Sequence, residues 1–449
     1  MKRIVCLAIM LVSLFAMNAE NISGYWNGKL STGAQSLTIV FNIEGENCSM
    51  DSPDQGAFGL KADLKKCTDD SLKVEMPEMN VVFEGVRVGN EIKGSFVQYG
   101  YAIPLVLNPG KPHYNRPQTP QPPFPYKEEE VSFVNGADGA VLSGTLVYPE
   151  TFAKGKTPVV LLVSGSGLQN RDEELFEHRP FAVIADYLAR NGIATLRYDD
   201  RSAGKSTGDV MNATTETFAA DAEAGLQFLR DKGEFGKVGL LGHSEGGLIA
   251  FMLAGKGKTD FIVSMAGCTV RGDKVLVEQS KLLLPTQGMP ETMVADYCRV
   301  LEKVYAGKIA YGVLAKTNSQ MLVGMAVAEA GVSNLPEQLR QNLVNIMSLN
   351  DAWMNYFISY DPAEAIKQIT CPVMAANGTK DLQVVASTNL ENLRRLLPVK
   401  DGDVIKQYEG LNHLFQHCKT GAVTEYINIE ETISPEVLND IAKFISAQF

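Results

Sequence analysis

The sequence predicts an α/β domain, with a mostly parallel sheet and helices on both faces, preceded by a small all-β domain. Three observations support this organisation. The first hundred residues contain short stretches in which polar and apolar residues alternate. A proline-rich segment follows, and beyond it apolar runs alternate with helix-like stretches. Alternating residues are typical of antiparallel strands with one exposed face, whereas alternating strands and helices are typical of a parallel sheet.

The first residues form a predicted export signal. Lys2 and Arg3 precede an apolar run from Ile4 to Ala16, and Ala19 supplies the small residue expected at a cleavage site. Such a run is too short to anchor a chain in a bilayer, so residues 1–19 are expected to be a secretory signal peptide. No later segment has about 18 consecutive apolar residues. We therefore expect an exported protein, periplasmic or extracellular, without a membrane span.

Charge and cysteine content exclude several function classes. The formal net charge is -11, and binding a phosphate backbone requires a basic surface, so nucleic acid is not an expected partner. Of the seven cysteines, Cys6 lies in the signal, and the others form no CxxC pair and no zinc-type spacing with histidine. No metal or organic cofactor is implied. Cys48 and Cys67 share one region and a disulfide is an open alternative, but buried free thiols are the preferred interpretation.

Residues 21–108 form the predicted β-rich domain. Stretches such as SLTIVFNIEG and NVVFEGVRVGNEIKGSFVQYG alternate with period two and are separated by Gly, Asn and Asp, which predicts a small antiparallel barrel or sandwich. Seven prolines then occur between Pro109 and Pro125. Because proline lacks an N–H donor and favours extended chain, residues 109–129 are predicted to be a semi-rigid linker.

The remaining residues, 130–449, carry the predicted α/β domain. Its predicted strands are five apolar runs, TPVVLLVSG, IATLRY, KVGLLG, DFIVSMAG and CPVMAANG. Helical stretches such as HRPFAVIADYLARNG separate them. The interval from about 268 to 365 has helical runs and no strand signal. We expect it to be a helical cap over the strand ends, where such sheets bind ligands, rather than helical padding.

Two glycine-containing motifs compete as functional signals. GSGLQN, residues 165–170, lies between a strand and a helix as a dinucleotide-binding loop does. However, Asn170 stands where a third glycine or alanine is required, and the acidic residues in RDEELFEH would repel a pyrophosphate. The second motif, GHSEGG, follows the strand KVGLLG and precedes a helix of small and apolar residues. A strand that turns directly into a helix places Ser244 at a sharp bend with its hydroxyl exposed.

A serine nucleophile needs a histidine base and an acid that orients it, and both are expected downstream of this turn. Of the five histidines, His113 lies in the linker and His178 precedes the serine, while His243, its immediate neighbour, is expected to point away. His413 follows a further and last predicted strand, DVIKQYEG, and is the candidate base, preferred over His417. Asp381 follows a strand and a glycine turn and is the candidate acid, with Asp273 as the alternative.

An acyl-transfer site also needs donors for the oxyanion. The backbone amide of Glu245, the residue after the serine, is one candidate. The loop SGSG supplies the other, from Ser166 or, as the alternative, Gly167. In RYDDRSAGKSTG an internal ion pair that holds the loop is preferred over substrate contacts.

These motifs together resemble those of the α/β-hydrolase superfamily, over about residues 131–449. The similarity is closest to bacterial exported esterases and serine aminopeptidase-like hydrolases, and it rests on VSGSGLQNRDEE, RYDDRSAGKSTG, GHSEGG, SYDPAEAI, CPVMAANGTKD and GLNHLF. Many relatives begin the oxyanion loop with histidine, where this chain has Ser164. The resemblance does not extend to the β-rich domain.

The resulting hypothesis is an exported serine hydrolase, specifically a carboxylesterase for small or medium acyl esters. A peptidase or aminopeptidase acting on short peptides is the alternative, and it would need carboxylates such as Glu302, Glu329 or Glu337 to bind the substrate ammonium. A non-catalytic binding protein is a third hypothesis, disfavoured by the complete triad.

Overall fold

The structure is a computed structural model that describes residues 22–31, 36–55, 57–312 and 314–449. The predicted signal peptide, residues 1–19, lies outside the described residues. The chain divides between His113 and Tyr114 into two compact units.

The first unit is a closed antiparallel barrel of eight strands. In chain order these are β1 (Gly24–Ser31), β2 (Ser36–Glu44), β3 (Asn47–Ser52), β4 (Ala57–Cys67), β5 (Ser71–Met76), β6 (Val81–Val88), β7 (Glu91–Gln98) and β8 (Tyr101–Pro109). Trp26 of β1 pairs with Pro109 of β8, which closes the barrel. Of the two architectures expected, the structure is therefore the barrel.

Alternation along these strands produces the core of the barrel. The buried side chains of β2 include Ile39, Phe41 and Ile43, which are separated by one residue each, and Phe41 packs on Phe83 of β6 with ring centroids 5.5 Å apart. Successive side chains of a strand point to opposite faces, so the period-two pattern fills the interior. Cys48 and Cys67 are free thiols.

The second unit contains an eight-stranded sheet with helices on both faces. Its strands are β9 (Lys127–Val134), β10 (Val141–Tyr148), β11 (Val159–Val163), β12 (Ala194–Tyr198), β13 (Val238–His243), β14 (Ile262–Met265), β15 (Val373–Gly378) and β16 (Val404–Tyr408). Their order is β16-β15-β14-β13-β11-β12-β10-β9. The six strands from β11 to β16 are parallel to one another, and β10 and β9 continue the sheet as an antiparallel edge beside β12. Each of the five predicted apolar runs overlaps one of the parallel strands.

Twelve helices accompany this sheet within the described residues. They are α1 (Pro180–Arg190), α2 (Thr215–Asp231), α3 (Glu245–Gly255), α4 (Gly272–Thr286), α5 (Glu291–Tyr311), α6 (Leu314–Thr317), α7 (Ser319–Glu329), α8 (Glu337–Ser348), α9 (Ala352–Ser359), α10 (Ala363–Lys367), α11 (Ala386–Leu396) and α12 (Pro435–Ser446). Buried residues of α2, α3 and α11 pack on one face of the sheet, and those of α1 and α12 pack on the other. None of these helices is long and apolar enough to cross a membrane.

The interval between β14 and β15 is helical, as the sequence predicts. Helices α4 to α10 occupy it, and those from α4 to α9 share a separate apolar core that includes Val300, Val323 and Leu343. This segment therefore has an apolar core of its own and is not merely a connection between β14 and β15.

The proline-rich segment differs from the expected linker. Arg116 donates hydrogen bonds to the carbonyl oxygens of Phe176 and Ile427, and Gln118 donates to that of Ile433. Strand β9 begins at Lys127, before the predicted end of the linker at residue 129. The segment is therefore hydrogen-bonded to the rest of the second unit. Proline has no N–H donor, but the side chains between the prolines, such as those of Arg116 and Gln118, can still donate hydrogen bonds.

The sheet order identifies where a site is expected. From β11 the chain moves to β12 on one side and then returns to β13 on the other. A crevice forms at the carboxyl ends of two strands where the order reverses in this way, and ligands bind there. Ser164 and Ser244 are the first residues beyond β11 and β13.

Candidate active site

Ser244 occupies a strained bend between β13 and α3. Its backbone has φ 54° and ψ −115°, a conformation that is rare for residues with a side chain. A Cβ at Gly242 would lie 1.9 Å from the carbonyl oxygen of Gly246, and a Cβ at Gly246 would lie 2.1 Å from that of Val163. The bend therefore requires glycine at both positions. Strain of this kind is often found at functional sites, where surrounding structure maintains it.

His413 and Asp381 are brought together by the two loops that follow β16 and β15. His413 Nδ1 lies 2.8 Å from Asp381 Oδ2. The other carboxylate oxygen, Oδ1, accepts hydrogen bonds from the backbone amides of Gln383 at 2.8 Å and Val384 at 2.9 Å. Both the histidine and the aspartate are buried. Three hydrogen-bond partners thus hold the Asp381 carboxylate in place. Because Asp381 engages Nδ1 of His413, Nε2 is the ring nitrogen that is free for chemistry.

Ser244 and His413 line the same cavity, which has a volume of about 320 Å³. Helices α4 and α9 of the helical segment contribute its apolar walls, through Val275, Leu276, Trp353 and Phe357. The cavity therefore places the candidate nucleophile and the candidate base beside an apolar surface.

Both predicted oxyanion residues also line this cavity. Glu245 is the first residue of α3, so its amide belongs to the unpaired N–H groups of a helix N-terminus. Ser166 lies in the loop after β11, and a Cβ at its neighbour Gly165 would be only 3.1 Å from the Cβ of Ser244. The N–H of Gly165 donates to Glu173 Oε1 at 2.7 Å. That amide is therefore engaged, and the next one, from Ser166, is the available candidate.

The side chain of Glu245 links the bend to the helical segment. Its Oε1 accepts hydrogen bonds from Thr215 Oγ1 at 2.6 Å and from Trp353 Nε1 at 2.8 Å. Trp353 and Phe357 stack with ring centroids 5.2 Å apart. The aromatic residues of α9 thus both pack and line the cavity, and the indole N–H holds α9 against the start of α3.

His243 does not point away from the site, and this expectation was wrong. Its Nδ1 lies 3.0 Å from Glu173 Oε1, and its Nε2 lies 2.9 Å from the carbonyl oxygen of His413. Its ring centroid is 4.7 Å from that of His413. His243 lines the same cavity as Ser244, because its ring is held there by Glu173 and by the backbone of His413. Sequence reasoning also missed Glu173, which it treated only as a charge unfavourable to phosphate.

Ion pairs and hydrogen bonds hold the loop after β12, as expected. Arg201 Nη2 lies 2.7 Å from Asp221 Oδ1, and both side chains are almost fully buried. Asp200 accepts hydrogen bonds from Ser164 Oγ at 2.8 Å and from Gln169 N–H at 2.9 Å. Burial raises the pKa of Asp200 to about 7, although both hydrogen bonds lower it. This carboxyl group therefore holds Ser164 and Gln169, which lie on either side of Ser166 in the same loop.

The alternative triad residues lie elsewhere. Asp273, near the start of α4, forms an ion pair with Arg271 at 2.6 Å. His417 is exposed and lies 2.8 Å from Glu431. His178 is buried among hydrogen-bond partners from the C-terminal segment, and burial lowers its pKa to about 4. These side chains do not line the cavity.

The carboxylates that an aminopeptidase would need are also outside the cavity. Glu302, Glu329 and Glu337 lie on α5, α7 and α8. Glu329 pairs with Lys303 at 3.7 Å on the surface, and Glu337 is highly exposed. Within the part of the chain that the structure describes, no group of three or more His, Cys, Asp or Glu side chains is arranged to hold a metal ion.

Several known proteins to which this chain is similar are hydrolases. Residues 177–290 match the family described as "Serine aminopeptidase, S33". The chain is 25% identical over 328 residues to esterase EstD of Thermotoga maritima, an alignment that covers 72% of this chain and 68% of that protein. Among solved structures it resembles the Pyrococcus furiosus esterase Pf2001, with 17% identity, a TM-score of 0.42 and coverage of 75% of this chain and 99% of that one. It also resembles a proline iminopeptidase of Mycobacterium smegmatis, with 14% identity, a TM-score of 0.43 and coverage of 71% and 98%. The matches to a serine aminopeptidase family and to an esterase confirm the resemblance to hydrolases.

Proposed function

We propose that this chain is an exported carboxylesterase that cleaves small or medium acyl esters through Ser244, His413 and Asp381. The observation that carries the proposal is the 2.8 Å contact between His413 Nδ1 and Asp381 Oδ2, at a cavity that Ser244 also lines. The proposed export rests on residues 1–19, whose composition is typical of a signal peptide.

The proposed reaction is a two-step acyl transfer. Ser244 Oγ attacks the ester carbonyl carbon while His413 Nε2 takes the hydroxyl proton, and Asp381 stabilises the imidazolium that forms. The negative charge on the substrate oxygen is stabilised by the backbone amides of Glu245 and Ser166. His413 then protonates the leaving alcohol, which leaves an acyl group on Ser244, and a water molecule repeats the sequence to release the acid.

The cavity supports an ester in preference to a peptide with a free amino terminus. An α-ammonium group needs a carboxylate within reach, and the three acidic residues of the helical segment that were considered for this role lie outside the cavity. The two carboxylates that line it, Glu173 and Glu245, already accept hydrogen bonds from protein donors. The esterase EstD of Thermotoga maritima is consistent with the same reaction class.

An aminopeptidase is the second candidate, because the family that matches residues 177–290 is described as a serine aminopeptidase. The two candidates differ in the leaving group, an alcohol in one case and an amine in the other. An amine must be protonated before it is expelled, whereas an activated alcohol such as a phenol can leave as its anion. Relative rates on matched ester and amide substrates therefore separate them.

The test compares the chain with its Ser244→Ala variant on p-nitrophenyl esters of increasing acyl length and on aminoacyl anilides. We expect ester turnover that falls to background in the variant and is strongest for short or medium acyl groups. Preference for the anilides would replace the esterase proposal with the aminopeptidase. Ester turnover that survives in the variant would overturn the mechanism.

A further inference from the structure

A buried carboxylate and imidazole line the same cavity as Ser244 and His413. Glu173 and His243 are 7% and 6% exposed. Glu173 Oε1 lies 3.0 Å from His243 Nδ1, and the same oxygen accepts the N–H of Gly165. His243 Nε2 lies 2.9 Å from the backbone carbonyl oxygen of His413. The proposed triad uses neither side chain.

The partners of His243 determine how many protons its ring carries. A backbone carbonyl oxygen can only accept a hydrogen bond, so Nε2 must carry a proton. Nδ1 faces a carboxylate oxygen that already accepts from Gly165 N–H, so Nδ1 is expected to carry a proton as well. A neutral imidazole has a single N–H and would satisfy only one of these two acceptors. The arrangement fits the doubly protonated, positively charged ring.

We propose that His243 is an imidazolium that acts, with Glu173 as its counter-ion, as a positioning residue for the proposed chemistry of Ser244 and His413. The inference rests on the proposed function. The ring joins three segments that must keep their spacing during acyl transfer. These are the loop after β11, reached through Glu173 and Gly165, the bend at Ser244, and the loop that carries His413.

The surrounding charges favour this state. Burial alone lowers the pKa of His243, but the charge and the hydrogen bond of Glu173 outweigh it, and the pKa is raised. Asp381, on the loop after β15, adds in the same direction. The other titratable group against the ring is His413, on the loop after β16. Since a charged buried side chain requires a partner, the carboxylate of Glu173 is what allows the ring to stay protonated.

The proton count is measured by ¹⁵N NMR on the full chain with labelled histidine, assigned through bonds to the backbone of His243. We expect both ring nitrogens of His243 to stay protonated at neutral pH, above the pH at which an unperturbed imidazole loses its charge. An unprotonated ring nitrogen on His243 at neutral pH would overturn the proposal. This measurement does not depend on catalysis, so its failure is distinguishable from failure of the esterase assignment.

The positioning role is measured with Glu173→Gln. The glutamine oxygen can still accept hydrogen bonds, but without the negative charge His243 is expected to lose a proton as the pH rises. One of its two hydrogen bonds is then lost, and kcat should fall about tenfold or more on the alkaline side, with a smaller change in KM. This alkaline loss should be absent from the unsubstituted chain.

The matched control is Glu174→Gln, at the next position of the same loop, where the carboxylate forms a more exposed ion pair with Arg179 at 3.1 Å. We expect this variant to keep the pH profile of the unsubstituted chain. A Glu173→Gln profile parallel to that of the control would show that the charge has no positioning role. If Glu173→Gln does not fold, the NMR measurement on the unsubstituted chain still decides the protonation state.

Discussion

Replacement of Asp381 by asparagine is the most informative test of the proposed triad, because the structure predicts which way the new amide turns. Oδ1 of Asp381 accepts from two backbone N–H groups, those of Gln383 and Val384. In Asp381→Asn the amide oxygen must take this position, since an NH₂ group there would face two donors. The NH₂ group is then directed at His413 Nδ1, where the Oδ2 atom lies 2.8 Å away in the unsubstituted chain.

The consequence is a change of tautomer. An NH₂ donor facing Nδ1 makes that nitrogen an acceptor, so the proton of the neutral ring moves to Nε2. His413 then presents a donor to Ser244 where the reaction needs an acceptor. In serine hydrolases with this arrangement the corresponding change lowers kcat by about 10⁴-fold. This loss equals about 5 kcal/mol of transition-state stabilisation.

The assay is the hydrolysis of a short p-nitrophenyl ester by the two proteins at equal concentration of folded chain. We expect kcat to fall about 10⁴-fold while KM changes little, because the substrate cavity is intact. Asp273→Asn is the matched control, since Asp273 pairs with Arg271 outside the cavity, and it should leave kcat within a factor of about two. A loss of less than about tenfold in Asp381→Asn, or an equal loss in the control, would refute the assigned acid.

Two further predictions concern the surroundings of the site. Trp353→Phe removes the indole donor that bonds Glu245, and urea denaturation should show a free energy of unfolding lowered by about 1.5–3 kcal/mol; an unchanged value would contradict the linking role of that bond. Because burial raises the pKa of Asp200 to about 7, above its unfolded value of 3.8, the folded chain keeps a proton that the unfolded chain loses between these pH values. Stability should therefore decrease as the pH rises through this window, and the decrease should be smaller in Asp200→Asn; an equal slope in both proteins would contradict the raised value.

The features that local sequence determines were predictable. The run Val238–His243 is short and mostly apolar, and Ser244 follows it with Gly242 and Gly246 two positions away on either side, so the strand, the bend and the helix could be identified from their order alone. The same holds for Asp381 and His413, since each follows a recognisable strand. The order of elements along the chain was sufficient to predict that these residues lie close together, because the carboxyl ends of parallel strands lie at one edge of the sheet.

Features that depend on contacts between distant residues were harder to predict from the sequence. The alternating pattern predicted the strands of the first unit, but closure depends on the pairing of Trp26 with Pro109, across the whole length of that unit. Likewise, no local pattern indicates that Arg116 bonds the carbonyl oxygen of Ile427, more than three hundred residues away. Such contacts depend on the packing of segments that are distant in sequence. A short window of neighbouring residues contains no information about that packing.

The charge of Glu173 was used correctly to argue against a pyrophosphate site, but its contacts in the folded loop were not predicted. Its charge, close to the glycine loop, excluded a pyrophosphate by repulsion, and that reasoning needed only sequence proximity. The folded loop turns the same carboxylate back onto the N–H of Gly165, where it accepts the hydrogen bond that a phosphate oxygen would otherwise take. It also lies against His243, beside Ser244. The carboxylate of Glu173 thus engages the N–H of Gly165, and the next amide, that of Ser166, is the candidate donor to the oxyanion.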